Sequence, residues 1–299
     1  MKKYFIYVKE YIIALRLMSL TLALAATSFG IIAAYRSDVI YNKSMFHTIF
    51  LVLIITVAGL LSQVGANLIN DYFEGSFKYR DYSKTKVKFL GKERSYFDIF
   101  VFLSGLAALG VACLIGLYLI YITDIYMLII GLIGIIGSYS YTGEPFVYKT
   151  KGLGVPLSFI LMGPLMTFGA YYPFSQTFTW YPILLGLPVS LLVPAMMLGN
   201  EMRDFKRDER LAIGTLSVII GPRLSLLLYD CLVFGTFVLT VLYVILGLYP
   251  FQSLSALILL PLALKARRCV KNFEGLGIPY TNKIHLYYFV IVAITLIIW

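Results

Sequence analysis

LVLIITVAGLLSQVGANLINDYFE, running from Leu51 to Glu74, decides how this chain folds. Its first half carries no charged side chain, and a run of this kind reads as a helix inside lipid. Its second half gathers Gln63, Asn67, Asn70, Asp71 and Glu74 where that helix should be leaving the membrane. Both halves have counterparts elsewhere in the chain. Hydrophobic residues fill 60% of the 299 positions and charged residues only 13%, whereas a soluble domain holds about 45–50% and about 25%. The chain is therefore read as an all-α, polytopic membrane protein, one integral-membrane domain over residues 1–299. A crossing takes about 20 apolar residues. Nine spans are predicted, near 11–35, 46–69, 96–120, 125–142, 153–172, 180–199, 224–248, 250–265 and 284–299. The run from Tyr11 to Tyr35 is too long for the apolar part of a signal peptide, and Arg16 interrupts it. It is read as an uncleaved first helix.

The formal net charge is +10, and its placement argues against a nucleic-acid partner. The N-terminus, with Arg16, and the loops near 70–95, 143–152, 200–223 and 265–283 hold 23 of the 25 lysines and arginines. Arg36 and Lys43 are the other two. The loops near 121–124, 171–179 and 249 hold none. Basic loops on one side of a bilayer set its orientation, so the N-terminus and the four basic loops are expected in the cytoplasm of a multi-pass cell-membrane protein. Such loops also favour anionic headgroups or an anionic substrate. Cys113 and Cys231 fall within spans and Cys269 lies beside Arg267 and Arg268, so no structural disulfide is expected. His47 and His285, near span ends, are read as bland residues of the membrane interface.

Two of the basic loops begin alike. One opens as NLINDYFEGSFKYRD, Asn67 to Asp81; the other as GNEMRDFKRDE, Gly199 to Glu209. Residues four apart share a helix face. Asn67 with Asp71, Asn70 with Glu74, and Asn200 with Asp204 and Asp208 are spaced in this way. Two such ladders on neighbouring helices would point oxygen ligands into one cavity. Oxygen-only ligation suits Mg²⁺, which takes few protein carboxylates and completes its shell with water and substrate phosphates. Lys78, Arg80, Lys151, Arg203 and Lys206 stand nearby to hold phosphate charge. The reading that emerges is a metal–diphosphate site at a helix exit, with the apolar tail of the diphosphate left in the membrane. A cation transporter is the competing class; its sites sit near the bilayer midplane, whereas these acids lie at one face.

The same stretches resemble the UbiA superfamily of intramembrane prenyltransferases, and within it the 1,4-dihydroxy-2-naphthoate polyprenyltransferase branch of menaquinone synthesis. QVGANLINDYFE resembles the branch's Q-x-x-x-N-x-x-N-D-Y-x-D. NEMRDFKRDERLAIGTLSVIIG resembles its N-x-x-R-D-x-x-x-D segment and the T-L-A-V-x-x-G that follows. YTGEP at Tyr141–Pro145, KGLG at Lys151–Gly154, GPLMTFGAYY at Gly163–Tyr172 and ALRLMSL at Ala14–Leu20 fall in the family's order. The family frame N-x-x-x-D-x-x-x-D reads Asn70, Glu74 and Lys78 here. Glutamate keeps a carboxylate, lysine does not, and Asp81 is the nearest replacement. Leu17 stands where the branch has proline, and Gly214 where it has a basic residue.

The resemblance implies a helical bundle around a central cavity that uses Mg²⁺ to transfer a polyprenyl group from its diphosphate to an aromatic acid. It implies metal-facing roles for Asn67, Asn70, Asp71, Glu74, Asp81, Asn200, Asp204 and Asp208. Lys78, Arg80, Lys151, Arg203 and Arg16 would hold the diphosphate. Ionisation leaves an allylic cation that aromatic faces stabilise by about 2 kcal/mol each when desolvated, with Tyr72, Phe73, Tyr139, Tyr141 and Tyr148 as candidates. Acceptors other than the naphthoate, such as 4-hydroxybenzoate or homogentisate, stay open. Gly131, Gly134 and Gly137 are read as close-packing positions between helices, and Pro188 and Pro194 as kinks before the second acidic exit.

Overall fold

A computed structural model describes residues 2–42, 44–74 and 86–299. Lys78, Arg80 and Asp81 lie outside the described residues. The chain is helical because lipid offers no hydrogen bonds to a free backbone. In order come α1 (Lys2–Leu15), α2 (Leu17–Arg36), α3 (Met45–Glu74), α4 (Tyr96–Ile122), α5 (Ile125–Ser140) and α6 (Gly154–Ile160). They are followed by α7 (Met166–Ser175), α8 (Tyr181–Ser190), α9 (Leu192–Arg210), α10 (Leu216–Ile245), α11 (Leu260–Lys271) and α12 (Gly277–Ile298). Among the described residues, 7 helical segments are long and apolar enough to cross a membrane, and α5 is a shorter apolar one. With the tight turns of Phe251–Leu259 leading into α11, they make the nine rods expected from the sequence.

The rods are interrupted where the local chemistry demands it. Arg16 adopts a left-handed conformation (φ 49°, ψ 54°) and separates α1 from α2. A wide turn at Leu161–Leu165, with Pro164 inside it, joins α6 to α7. Leu191 separates α8 from α9, between Pro188 and Pro194. Gly221 (φ 80°, ψ 163°), followed by Pro222, breaks α10 after its first turns. Gly30 shows how closely the rods approach: a Cβ there would stand 2.2 Å from the carbonyl oxygen of Thr167 on α7. The core between α2, α8, α10 and α12 buries Phe29, Leu185, Tyr229 and Tyr288. His285 is also enclosed there at 1% exposure, which corrects its reading as a residue of the membrane interface.

Between α3 and α4 the chain forms a hairpin, β1 (Lys86–Phe89) against β2 (Lys92–Ser95), which the hydropathy pattern does not reveal. Its two-residue turn, Leu90 and Gly91, has both φ angles positive, the geometry that matches strand twist. Phe89 packs on Tyr72 and Phe102, and the Tyr72 hydroxyl donates to the Phe89 carbonyl at 3.2 Å.

The end of α3 and the end of α9 line one cavity, and Phe273, just past α11, packs against Phe205 of α9, so the three helix ends lie at one end of the bundle. The opposite end holds Arg36, which donates to the Tyr181 hydroxyl and the Leu296 carbonyl and lies 4.1 Å from the Trp299 ring centre.

Candidate active site

The polar residues of α3 continue its helix because they face inward. Gln63, Asn67, Asn70 and Asp71 are all buried. The last turns of α9 present Asn200, Glu201, Arg203, Asp204, Arg207 and Asp208. Both helix ends line one cavity of about 970 Å³. Arg16, Tyr141, Tyr148 and Lys149 complete its polar end, and apolar residues of α3, α4, α5 and α7 line the remainder. The structure thus brings together Asn67, Asn70, Asp71, Asn200, Asp204, Asp208, Arg16, Arg203 and Tyr141 from the sequence expectations. Glu74 ends α3.

The break at Arg16 and the amides of α3 support one another. Asn67 Nδ2 donates to the Leu15 carbonyl and to Ser19 Oγ, each at 2.8 Å, while its Oδ1 accepts from Gln63 Nε2 at 3.1 Å. Asn67 is therefore occupied in holding the broken helix. The Arg16 guanidinium donates to Asn70 Oδ1. Asn70 is 1% exposed, and its Nδ2 has no partner among the described residues. A buried amide left in this way calls for a ligand atom or water.

On α9 the carboxylates are held by their own helix. Arg203 forks onto Asp204 with bonds of 2.8 and 2.6 Å. Arg207 bonds Asp208 Oδ1 at 2.9 and 2.7 Å and reaches Asp204 at 3.3 Å. The Arg203–Asp204 pair is bidentate, an arrangement that fixes both partners in place. Glu201, 5% exposed, accepts the Ser217 backbone N–H at 2.9 Å and so ties the first turn of α10 to α9. Sequence reading passed over Glu201, although its spacing to Asp204 and Asp208 places all three on one helix face.

Several expected residues lie elsewhere. Lys151 is exposed, pairs by backbone with Gly214 and does not line the cavity; Lys149, two residues earlier, does. Lys206 is exposed and lies 5.9 Å from the Phe273 ring centre. Tyr72 and Phe73 pack into the aromatic cluster around Phe102, with Tyr139 against it, and none of the three lines the cavity. Tyr141 and Tyr148 do line it, edge to face at 5.5 Å, with Lys149 Nζ 5.7 Å from the Tyr141 ring centre. The Tyr148 hydroxyl donates to the Gly137 carbonyl at 3.0 Å, and burial first, then Tyr141, holds this phenol above its ordinary pKa. Tyr148 is thus a neutral wall of the cavity.

The donor set fits a hard divalent cation. Among the described residues no three His, Cys, Asp or Glu side chains gather into one cage. Two carboxylate-bearing helix ends instead share one cavity, which suits Mg²⁺, an ion that keeps phosphate and water in much of its shell. The orphaned Asn70 amide, with Arg16 beside it, provides donors toward an anion at the same end.

Comparisons with known proteins bear on the family and the fold. The sequence profile of the UbiA prenyltransferase family matches residues 22–274. The rat UbiA prenyltransferase domain-containing protein 1 is 30% identical over 234 residues, covering 75% of this chain and 65% of the rat protein. The chain thus spans just under two thirds of that relative's length. The 1,4-dihydroxy-2-naphthoate octaprenyltransferase of Mycobacterium leprae (strain TN) is 27% identical over 240 residues, 80% of this chain and 78% of that one. Among solved structures, a UbiA homolog from Aeropyrum pernix K1 superposes with a TM-score of 0.64 at 10% identity, over 92% of this chain and 97% of the other. A UbiA homolog from Archaeoglobus fulgidus bound to Cd²⁺ gives 0.54 at 13% identity, over 93% and 97%. At these identities the structural likeness speaks for the fold.

Proposed function

Since the chain belongs to the UbiA prenyltransferase family, we propose that it transfers a polyprenyl group from polyprenyl diphosphate to an aromatic acceptor, 1,4-dihydroxy-2-naphthoate, with Mg²⁺. The observation that carries this reading is the shared cavity: two acidic helix ends far apart in sequence line its polar end, and an apolar bore lies behind them. The Mycobacterium leprae relative supports the naphthoate as acceptor. The cadmium-bound Archaeoglobus homolog supports a divalent cation.

When bound, Mg²⁺ supplies Lewis-acid stabilisation of the diphosphate leaving group. Asp71, Glu74, Asp204 and Asp208 are the residues proposed to hold it. Asn70, Arg16, Arg203, Arg207 and Lys149 bind the diphosphate oxygens and balance the charge that grows on them as the allylic C–O bond breaks. That bond's electron pair leaves with the diphosphate. The Tyr141 and Tyr148 rings line the place where the allylic cation forms and stabilise it through their faces. The acceptor ring then donates an electron pair to make the new C–C bond. In the naphthoate, the ring recovers its aromaticity when the carboxylate leaves as CO₂ and the electrons of that bond return to the ring.

The test is a turnover screen of purified protein in detergent with farnesyl diphosphate and a panel of aromatic acids. Naphthoate-dependent release of pyrophosphate and CO₂ is the expected result. Pyrophosphate without CO₂, from another acceptor, would move the acceptor assignment. No pyrophosphate with any acceptor would end the enzymatic reading and favour cation binding.

The same reading places the acidic end of the bundle in the cytoplasm of a multi-pass cell-membrane protein. Glu209, near the end of α9, and Ser175, at the end of α7, are separated by the crossing from Tyr181 to Arg210. A cysteine at position 209 is expected to react with an impermeant thiol reagent only from the cytoplasmic side, and one at position 175 only from outside. Reversed labelling would invert the orientation.

A further inference from the structure

The glycines of α5 do two different jobs. A Cβ on Gly137 would stand 2.6 Å from the Leu161 side chain, so this position packs two helices together, as its sequence suggests. At Gly131 and Gly134, and at Gly116 on the facing α4, a Cβ would meet nothing within 4 Å, yet all three line the cavity. The absence of side chains there does not serve helix contact. It keeps a bore open. This corrects the close-packing expectation for Gly131 and Gly134.

The bore runs away from the acidic end. Asp71 and Ile55, both on α3, line it, and at about 1.5 Å per residue they are separated by roughly 24 Å. The polar end carries the orphaned, 1% exposed Asn70 amide, an independent sign that a ligand's head belongs there. Tyr141 follows the last residue of α5 and lines the same cavity, with Lys149 Nζ 5.7 Å from its ring centre at the polar end. Along α5, Gly134 lies about 10 Å and Gly131 about 15 Å from Tyr141, at about 1.5 Å per residue. A five-carbon prenyl unit adds four chain bonds of about 1.5 Å, whose zigzag advances the chain by roughly 5 Å.

We propose that Gly134 and Gly131 set how long a prenyl tail the cavity accepts, Gly134 acting about two units and Gly131 about three units from the reacting carbon. This rests on the prenyltransferase reading and names which donors that site takes. An open position at Gly134 admits the third unit, and one at Gly131 admits the fourth. A leucine at either place would put its side chain across the bore. Helix propensity does not oppose the change, since glycine is the weaker helix former.

The experiment compares geranyl, farnesyl and geranylgeranyl diphosphates as donors for the unaltered protein and for Gly134→Leu, Gly131→Leu and Gly110→Leu. Gly110 lies on α4, has the same open surroundings and is absent from the cavity wall. Gly134→Leu is expected to lower the ratio of farnesyl to geranyl turnover at least about tenfold, the scale on which a pocket rejects a misfit. Gly131→Leu should instead lower the ratio of geranylgeranyl to farnesyl turnover by a similar factor. Gly110→Leu should move neither ratio. If a leucine variant does not elute as folded protein, the alanine variant at the same position is expected to show a smaller shift in the same ratio. Unchanged ratios in folded Gly134 and Gly131 variants would overturn the ruler and send the tail along another path, leaving the reaction assignment intact. Failure of the unaltered protein with all three donors would remove the reaction assignment, and the ruler with it.

Discussion

Replacing Asp204 or Asp208 by alanine should lower turnover at least about a hundredfold, which is roughly 3 kcal/mol of transition-state stabilisation. Each substitution takes an oxygen ligand from the proposed metal and also frees a guanidinium that now lies on that carboxylate. Asp204 faces the cavity with 23% of its side chain exposed, so its loss should leave the fold intact. Asp208 is almost fully enclosed and bonded by Arg207, so its alanine variant carries a stability cost as well. Asp208→Asn preserves volume and separates the two effects. Initial rates beside elution profiles in detergent make the comparison. Near-normal rates in both alanine variants would take the α9 acids out of the mechanism.

A chelator of divalent cations should abolish turnover, and titration with Mg²⁺ should restore it. The informative variant is Glu74→Gln. Glu74 ends α3 one turn beyond Asn70, where the family places aspartate. Its amide would keep the volume and lose the charge. The Mg²⁺ concentration for half-maximal rate should rise by about tenfold or more, the equivalent of about 1.4 kcal/mol. Glu74→Asp should be active and impaired, because Mg²⁺ tolerates little error in ligand distance. A titration unchanged in Glu74→Gln would make this side chain a bystander and centre the first motif on Asp71 and Asp81.

The rods were legible because lipid imposes one rule on every exposed side chain. Their ends were less so. The second span was expected to stop at 69 and the sixth at 199, yet α3 reaches Glu74 and α9 reaches Arg210. Hydropathy marks where the chain meets lipid, whereas Asn70, Asp71, Asp204 and Asp208 face a cavity and continue the helix beyond that boundary. The seventh span was expected from 224, but α10 begins at Leu216, ahead of the break at Gly221. The hairpin at 86–95 was invisible because its strands are mostly charged and its signature is a turn of two positive φ angles. At the site, the i, i+4 ladders showed which faces carry oxygen. They did not show that Asn67 is occupied by the Leu15 carbonyl, since that depends on a helix break fifty residues away. Nor did they separate Lys149 from Lys151, because irregular loop backbone, unlike a helix, has no period from which direction follows.

On the proposed reading, the arginines that lie on their own helix's carboxylates would make the cavity an ion exchanger. At rest, Arg203 and Arg207 serve as counterions to Asp204 and Asp208. On that reading, a magnesium diphosphate would offer each side a replacement: the carboxylates would turn to the cation and the guanidiniums to the phosphates. Ion pairs are traded for ion pairs, and few mobile salt ions need to enter or leave. Simple attraction of an anion to a bare basic patch weakens steeply as salt shortens the screening length, from about 30 Å at 0.01 M to about 10 Å at 0.1 M. The KM for the prenyl diphosphate should therefore change little across that range, and a steep rise would show that free positive charge, and not exchange, captures the donor.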